Sequence, residues 1–81
     1  MLLQLEAYLL IICDLEHKYE IANYFTKLDN VVNVDIICGP YDIVVEIMFE
    51  TMDELKEKIE KNITNIDNSL STLTLIRTEY I

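Results

Sequence analysis

Two short stretches carry the residue types that could hold a charged small molecule. Gly39-Pro40-Tyr41-Asp42 contains the chain's only glycine and only proline, and Ser71-Thr72-Leu73-Thr74 supplies three hydroxyls late in the chain. A glycine lets backbone amides approach a carboxylate closely. An aspartate can hold an ammonium group, and hydroxyls can orient either end of such a molecule. The residue types allow polar contacts and by themselves specify no ligand. The plain alternative is structural, since Gly, Pro and Asp are ordinary turn residues and threonine an ordinary strand residue.

Catalytic constellations are harder to assemble. Glu46 interrupts an apolar run, where burial would raise a carboxyl pKa; a place beside a lysine at a subunit seam, or at a wet barrel end, serves equally. Ser69 and Ser71 have no histidine near them in sequence, and a serine triad needs one in space. His17 falls at the entry to a helical segment and is expected in solvent. A single glycine cannot build a phosphate loop. One histidine, with two cysteines that lack a C-x-x-C spacing, cannot complete a zinc set. Cys13 and Cys38 read as buried strand residues acting as small hydrophobes. The expectation is a non-enzymatic chain with no catalytic residue, no metal site and no cofactor.

These residues must be positioned by short elements. Leu5–Asp14 (LEAYLLIICD) is apolar on both alternating sets, which fits a strand buried on two faces. One set holds Tyr8, Leu10 and Ile12, the other Ala7, Leu9, Ile11 and Cys13. Ile21, Ala22, Phe25 and Leu28 recur at helical spacing, with Asp29-Asn30 as a stop. Val31–Cys38 alternates, with Val32, Val34, Ile36 and Cys38 on one face and Asn33 and Asp35 on the other, the mark of an edge strand. A turn at Gly39–Asp42 leads to Ile43–Glu50, whose Ile43, Val45, Ile47 and Phe49 oppose Val44, Glu46 and Met48; a short connection makes the two strands a hairpin. Thr51-Met52-Asp53-Glu54 matches a capping box, and Leu55, Ile59 and Ile63 form the helix stripe behind it. A polar connection at Ile66–Ser69 precedes the β-rich run LSTLTLIRTEYI.

The order β-α-β-β-α-β predicts an α+β, ferredoxin-like sandwich, with the first and third strands central and both helices on one face. Cys13 and Cys38 then have the third strand between them, about 9–10 Å apart, too far for a disulfide. Two helices cover one side of such a sheet. Burying roughly five apolar side chains of the other side would contribute about 7–15 kcal/mol gross. The expectation is sheet-to-sheet pairing of two chains into a dimeric αβ barrel.

Composition narrows the partners further. Eighty-one residues make one domain spanning 1–81, and 52% of them are hydrophobic. Six basic residues against fifteen acidic ones give a charge of −9, which repels nucleic-acid phosphate and an anionic membrane alike. No apolar run approaches the ~20 residues of a spanning helix, and the start lacks a basic signal-peptide region. A soluble, cytoplasmic protein is expected.

AYLLI, LDNVVNV, GPYDIVVEI, MDELKEKI and STLTLI follow one another over Ala7–Ile76. In that order they resemble the effector-binding (RAM) domain of the leucine-responsive/asparagine regulator (Lrp/AsnC) family, in its free-standing form without a helix-turn-helix. The resemblance implies a homodimer that assembles further into an octamer or larger ring. It also implies a small amino-acid effector bound between neighbouring dimers near the hairpin, serving transcriptional or metabolic regulation without direct DNA contact. Carried over by motif, Gly39, Tyr41 and Asp42 form the hairpin side of the ligand-binding site, and Ser71, Thr72 and Thr74 the last-strand side. Two alternatives stand beside it: a structural partner that co-assembles with full-length Lrp/AsnC paralogues, or a small enzyme on the related αβ-barrel scaffold.

Overall fold

The computed structural model describes residues 5–64 and 71–79. Six elements follow the expected order: β1 (Leu5–Ile12), α1 (Lys18–Thr26), β2 (Val31–Ile36), β3 (Ile43–Phe49), α2 (Met52–Thr64) and β4 (Ser71–Ile76). The strands form one antiparallel sheet in the order β2-β3-β1-β4. The fold is the ferredoxin-like α+β sandwich, and the strand expected at an edge from its alternation, β2, is at one.

The pleat decides which side chains meet the helices. Ala7, Leu9 and Ile11 of β1 and Ile43, Val45, Ile47 and Phe49 of β3 are buried. Ile21, Ala22 and Phe25 of α1 pack on the middle of this face, and Leu55 of α2 packs on Ala7 and Phe49. The intervening residues Tyr8, Leu10, Val44, Glu46 and Met48 therefore point to the side without helices.

The start of α2 follows its capping signature closely. Thr51 Oγ1 accepts the Glu54 amide at 3.1 Å. Glu54 Oε2 returns to accept the Glu50 amide at 3.0 Å, one residue earlier than the usual capping box. Lys58 pairs with Glu54 Oε1 at 3.0 Å. The Glu50 amide first, then Lys58, hold the Glu54 carboxyl below its usual range. Asn30 ties this corner to the sheet: its Nδ2 donates to the Met48 carbonyl at 2.9 Å and to Glu54 at 3.1 Å, and its Oδ1 accepts from Lys58.

Several expectations are corrected. β2 carries a bulge between Val31 and Asn33, so Val31, registered with Ile47, faces the helices while Val32 is exposed. An extra residue flips the side chains before it, and periodicity alone cannot reveal one. β2 also ends at Ile36, so Cys38 belongs to the connection and is exposed rather than buried. Cys13 is half-buried, and both thiols are free. Burial first, then the charge of Asp42, raises the Cys13 thiol pKa. His17 is half-buried at the N-cap of α1, with no side-chain cap, and its buried Nδ1 has no hydrogen-bond partner among the described residues. The expected connection at Ile66–Ser69, the Ile63 side chain and Tyr80-Ile81 lie outside what is described.

Candidate functional site

The two recognition stretches meet one end of the sheet. Ile37–Asp42 connects β2 to β3, and Ile43 registers with Ile11 near the end of β1. On the other side of β1, Ile12 registers with Ser71 and Ile11 with Thr72. The connection is closed at its neck, where the Ile37 amide donates to the Asp42 carbonyl at 2.9 Å.

Asp42 fastens this connection to β1 twice. Its amide donates to the Ile11 carbonyl at 2.8 Å, and its Oδ2 accepts the Cys13 amide at 2.9 Å. One carboxylate oxygen is thus structural. Oδ1 accepts no hydrogen bond among the described residues and remains able to meet a cation. Gly39 has φ +148, a conformation that side chains rarely adopt, and a Cβ built there would meet nothing within 4 Å. The glycine therefore serves backbone shape and leaves open space beside it. The Gly39 and Tyr41 amides have no acceptor among the described residues. Tyr41 and Asp42 are half-buried, whereas Gly39 and Pro40 are exposed.

The last-strand hydroxyls are less united than their spacing suggests. Thr72 and Thr74, registered with Ile11 and Leu9, share the helix-side face; Ser71, registered with Ile12, faces the other way. Ser71 and Thr72 are exposed and Thr74 is half-buried. Because β1 separates β3 from β4, the two halves stand about 9–10 Å apart across the sheet. Within one chain the hairpin and the β4 hydroxyls share a sheet end without touching.

The open face holds a second group of polar residues that sequence reasoning did not assemble. Glu6 is buried, only 6% exposed, on the side without helices. Its Oε1 accepts the Tyr8 hydroxyl at 2.8 Å and its Oε2 accepts Arg77 Nη1 at 3.1 Å. Arg77 also donates to the Tyr8 hydroxyl and lies over its ring, 5.4 Å from the centroid. Glu46 registers opposite Tyr8, on the same face as Glu6. The neighbouring Glu6 carboxyl, then burial, raises the Glu46 pKa, with Arg77 opposing. The bond from Glu6, ahead of burial, raises that of Tyr8. The available signal was parity: Glu6 matches Tyr8, and Arg77 matches Leu73 and Leu75. Their cross-strand register was not readable. Around the cluster, Ile12, Leu73 and Leu75 remain 40–47% exposed.

Away from the hairpin, a cleft of about 210 Å³ separates α1 from α2 over Leu9, Phe25, Leu28, Val31, Ile47 and Ile59. Lys58 at its rim is already engaged by Glu54 and Asn30. Among the described residues no three His, Cys, Asp or Glu side chains are placed to hold a metal ion, and no helix is long and apolar enough to cross a membrane.

Comparison with known proteins gives a consistent outcome. The family model described as the Lrp/AsnC ligand binding domain matches residues 6–80. The structure is similar to that of a Thermus thermophilus protein, with a TM-score of 0.88, 22% identity, and coverage of 95% of this chain and 96% of that one. It is similar to Escherichia coli AsnC, with a TM-score of 0.86 and 25% identity over 94% of this chain. It is also similar to a Neisseria meningitidis transcriptional regulator solved as an L-methionine complex, at a TM-score of 0.83 and 13% identity over 95% of this chain. The chain spans 52% of the length of AsnC and 51% of the Neisseria regulator. No curated protein matches it by sequence.

Proposed function

Because the chain belongs to the Lrp/AsnC ligand-binding domain family, we propose that it is a non-enzymatic, oligomeric module that senses a small amino acid at contacts between subunits. The observation that carries this reading is the split site. Asp42 Oδ1 and the Gly39 and Tyr41 amides offer an ammonium acceptor and carboxylate donors at one sheet end. The hydroxyls of Ser71, Thr72 and Thr74 lie beyond β1, too far to close on the same ligand within one chain. A neighbouring copy that brings its own β4 or hairpin to this end completes the pocket. The bound L-methionine of the Neisseria regulator makes amino acids the class to try first.

The first assembly step is pairing of two open sheet faces. Leu10, Ile12, Val44, Met48, Leu73 and Leu75 keep part of their surface exposed. Covering each contributes on the order of 1 kcal/mol, a total comparable to the stability of a small domain. Assembly of such dimers into a ring would then set hairpins against neighbouring subunits.

Calorimetry of the purified chain against the twenty amino acids tests the site, with Asp42→Asn as the control. Asparagine keeps an oxygen for the Cys13 amide but loses the charge that holds an ammonium. Binding of at least one amino acid, weakened about tenfold or more in the variant, is the expected outcome. No heat with any of them, or equal affinity in the variant, rejects the site.

A second reading follows from coverage. The chain matches only about half of AsnC, with the fold retained across that half, so its open face is suited to pairing with the same domain of a longer regulator. Recovery of such regulators by affinity capture from native extract supports co-assembly, and capture of the chain alone rejects it.

A further inference from the structure

The cleft between α1 and α2 lies within one protomer, on the side of the sheet away from the open face. Its walls are apolar: Leu9, Phe25 and Ile47 are buried, and Leu28, Val31 and Ile59 stand half-buried around them. An apolar protein cavity of about 150 Å³ admits a six-carbon ring. The cleft's volume of about 210 Å³ therefore admits an aliphatic group of roughly six to eight carbons. At the mouth the polar groups come from one face of α2. Lys61 and Asn62 follow Lys58 at i+3 and i+4, each about 5–6 Å from it at Cβ. Glu54 and Asn30 take two of the three N–H groups of the half-buried Lys58 ammonium, and the third has no acceptor among the described residues. Asn62 accepts the Tyr24 hydroxyl at Oδ1, at 3.5 Å, while its Nδ2 has no acceptor among the described residues. Two unused donors one helical turn apart, above an apolar well, suit a carboxylate with an aliphatic tail.

We propose that this cleft binds an aliphatic monocarboxylate of about six to eight carbons, at a site separate from the hairpin and from the sheet pairing proposed above. The tail lies on Leu9, Phe25 and Ile47, where each methylene withdrawn from water adds to affinity. The head accepts from Lys58 Nζ and Asn62 Nδ2. Glu54 beside Lys58, and the exposed Asp29 on the α1 side of the mouth, oppose a second negative charge. That repulsion selects a monoanion over a phosphate or a dicarboxylate. A molecule seated there touches both helices, and one that binds only the folded chain stabilises it.

Titration of the isotope-labelled full chain with hexanoate and octanoate at millimolar concentration, followed by amide chemical shifts, tests the site. Shifts are expected along Leu28–Val31 and Lys58–Asn62, with Gly39–Asp42 unmoved. Octanoate is expected to bind at least as tightly as hexanoate. Hexanol, which keeps the tail and lacks the charge, is expected to bind about tenfold more weakly. Asn62→Leu removes one donor without touching the contacts of Lys58 with Glu54 and Asn30, and should weaken hexanoate about fivefold. Val31→Phe fills the cleft and should abolish binding, with circular dichroism to check that the variant folds. No shifts with either carboxylate, shifts centred on the hairpin, equal affinity for hexanol, or wild-type affinity in Asn62→Leu overturns the site. Amino-acid binding at the hairpin reads out separately, at Gly39–Asp42, and stands or falls independently of these results.

Discussion

The two faces of the sheet obey different rules, although the same two central strands build both. On the helix side β1 and β3 present only apolar residues, from Ala7 to Ile11 and from Ile43 to Phe49, and all are buried. On the open side the same strands alternate apolar residues with Glu6, Tyr8 and Glu46, and Glu6 and Tyr8 are hydrogen-bonded within the chain. Packing alone governs the first face. On the second, those two polar groups are satisfied in advance, which is the condition for burying them without leaving a group unpaired. A face exposed to water for good would not require that arrangement.

The sharpest way to separate the faces is to damage each in turn. Phe25→Ala removes a 1%-exposed ring from the helix side. It is expected to cost about 3–5 kcal/mol and leave this small domain largely unfolded, as read from urea denaturation and circular dichroism. Leu73→Asp strikes the open side, where the leucine is 42% exposed. The variant is expected to fold with a stability change of about 0.5 kcal/mol or less. Its pairing should weaken about a thousandfold or more, because each dimer would bury two unpaired carboxylates. A Leu73→Asp chain that still pairs as the wild type does would show that the open face is not the contact.

The helix side was readable because its signals are local. A short run apolar on both sets gave β1, alternation gave β2 and β3, i,i+4 apolar residues gave α1, and Thr51–Glu54 gave the start of α2. The edge position of β2 followed from Asn33 and Asp35 alone. What could not be read depends on register. The bulge at Val31/Asn33 moved Val32 into solvent, and the true end of β2 left Cys38 in the connection. The cluster of Glu6, Tyr8, Glu46 and Arg77 joins residues seventy-one positions apart, an interval no local pattern encodes. For the candidate site, the motif named residues that share a sheet end. The second role of Asp42, holding the Cys13 amide, and the opposite facing of Ser71 from Thr72 emerged only with the strands paired.

The smallest effect concerns the corner where α2 leaves the sheet, on the side governed by packing. Thr51→Ala removes the oxygen that accepts the Glu54 amide and is expected to cost about 1 kcal/mol, with the fold intact. Glu54 adds a pH dependence of definite sign. Its carboxyl is held below the usual range, chiefly by the Glu50 amide and then by Lys58. Its contribution is therefore fully present above the unfolded value of about 4.3 and lost as pH falls through the lower folded value. The urea midpoint of the wild type should decline across that acidic window, and Glu54→Gln should decline less. This trend runs against that of Glu46, whose raised carboxyl favours the acidic side. If Glu54→Gln followed the wild-type curve, the carboxylate at this corner would be an onlooker, and the anchoring of α2 would rest on Thr51, Asn30 and Leu55.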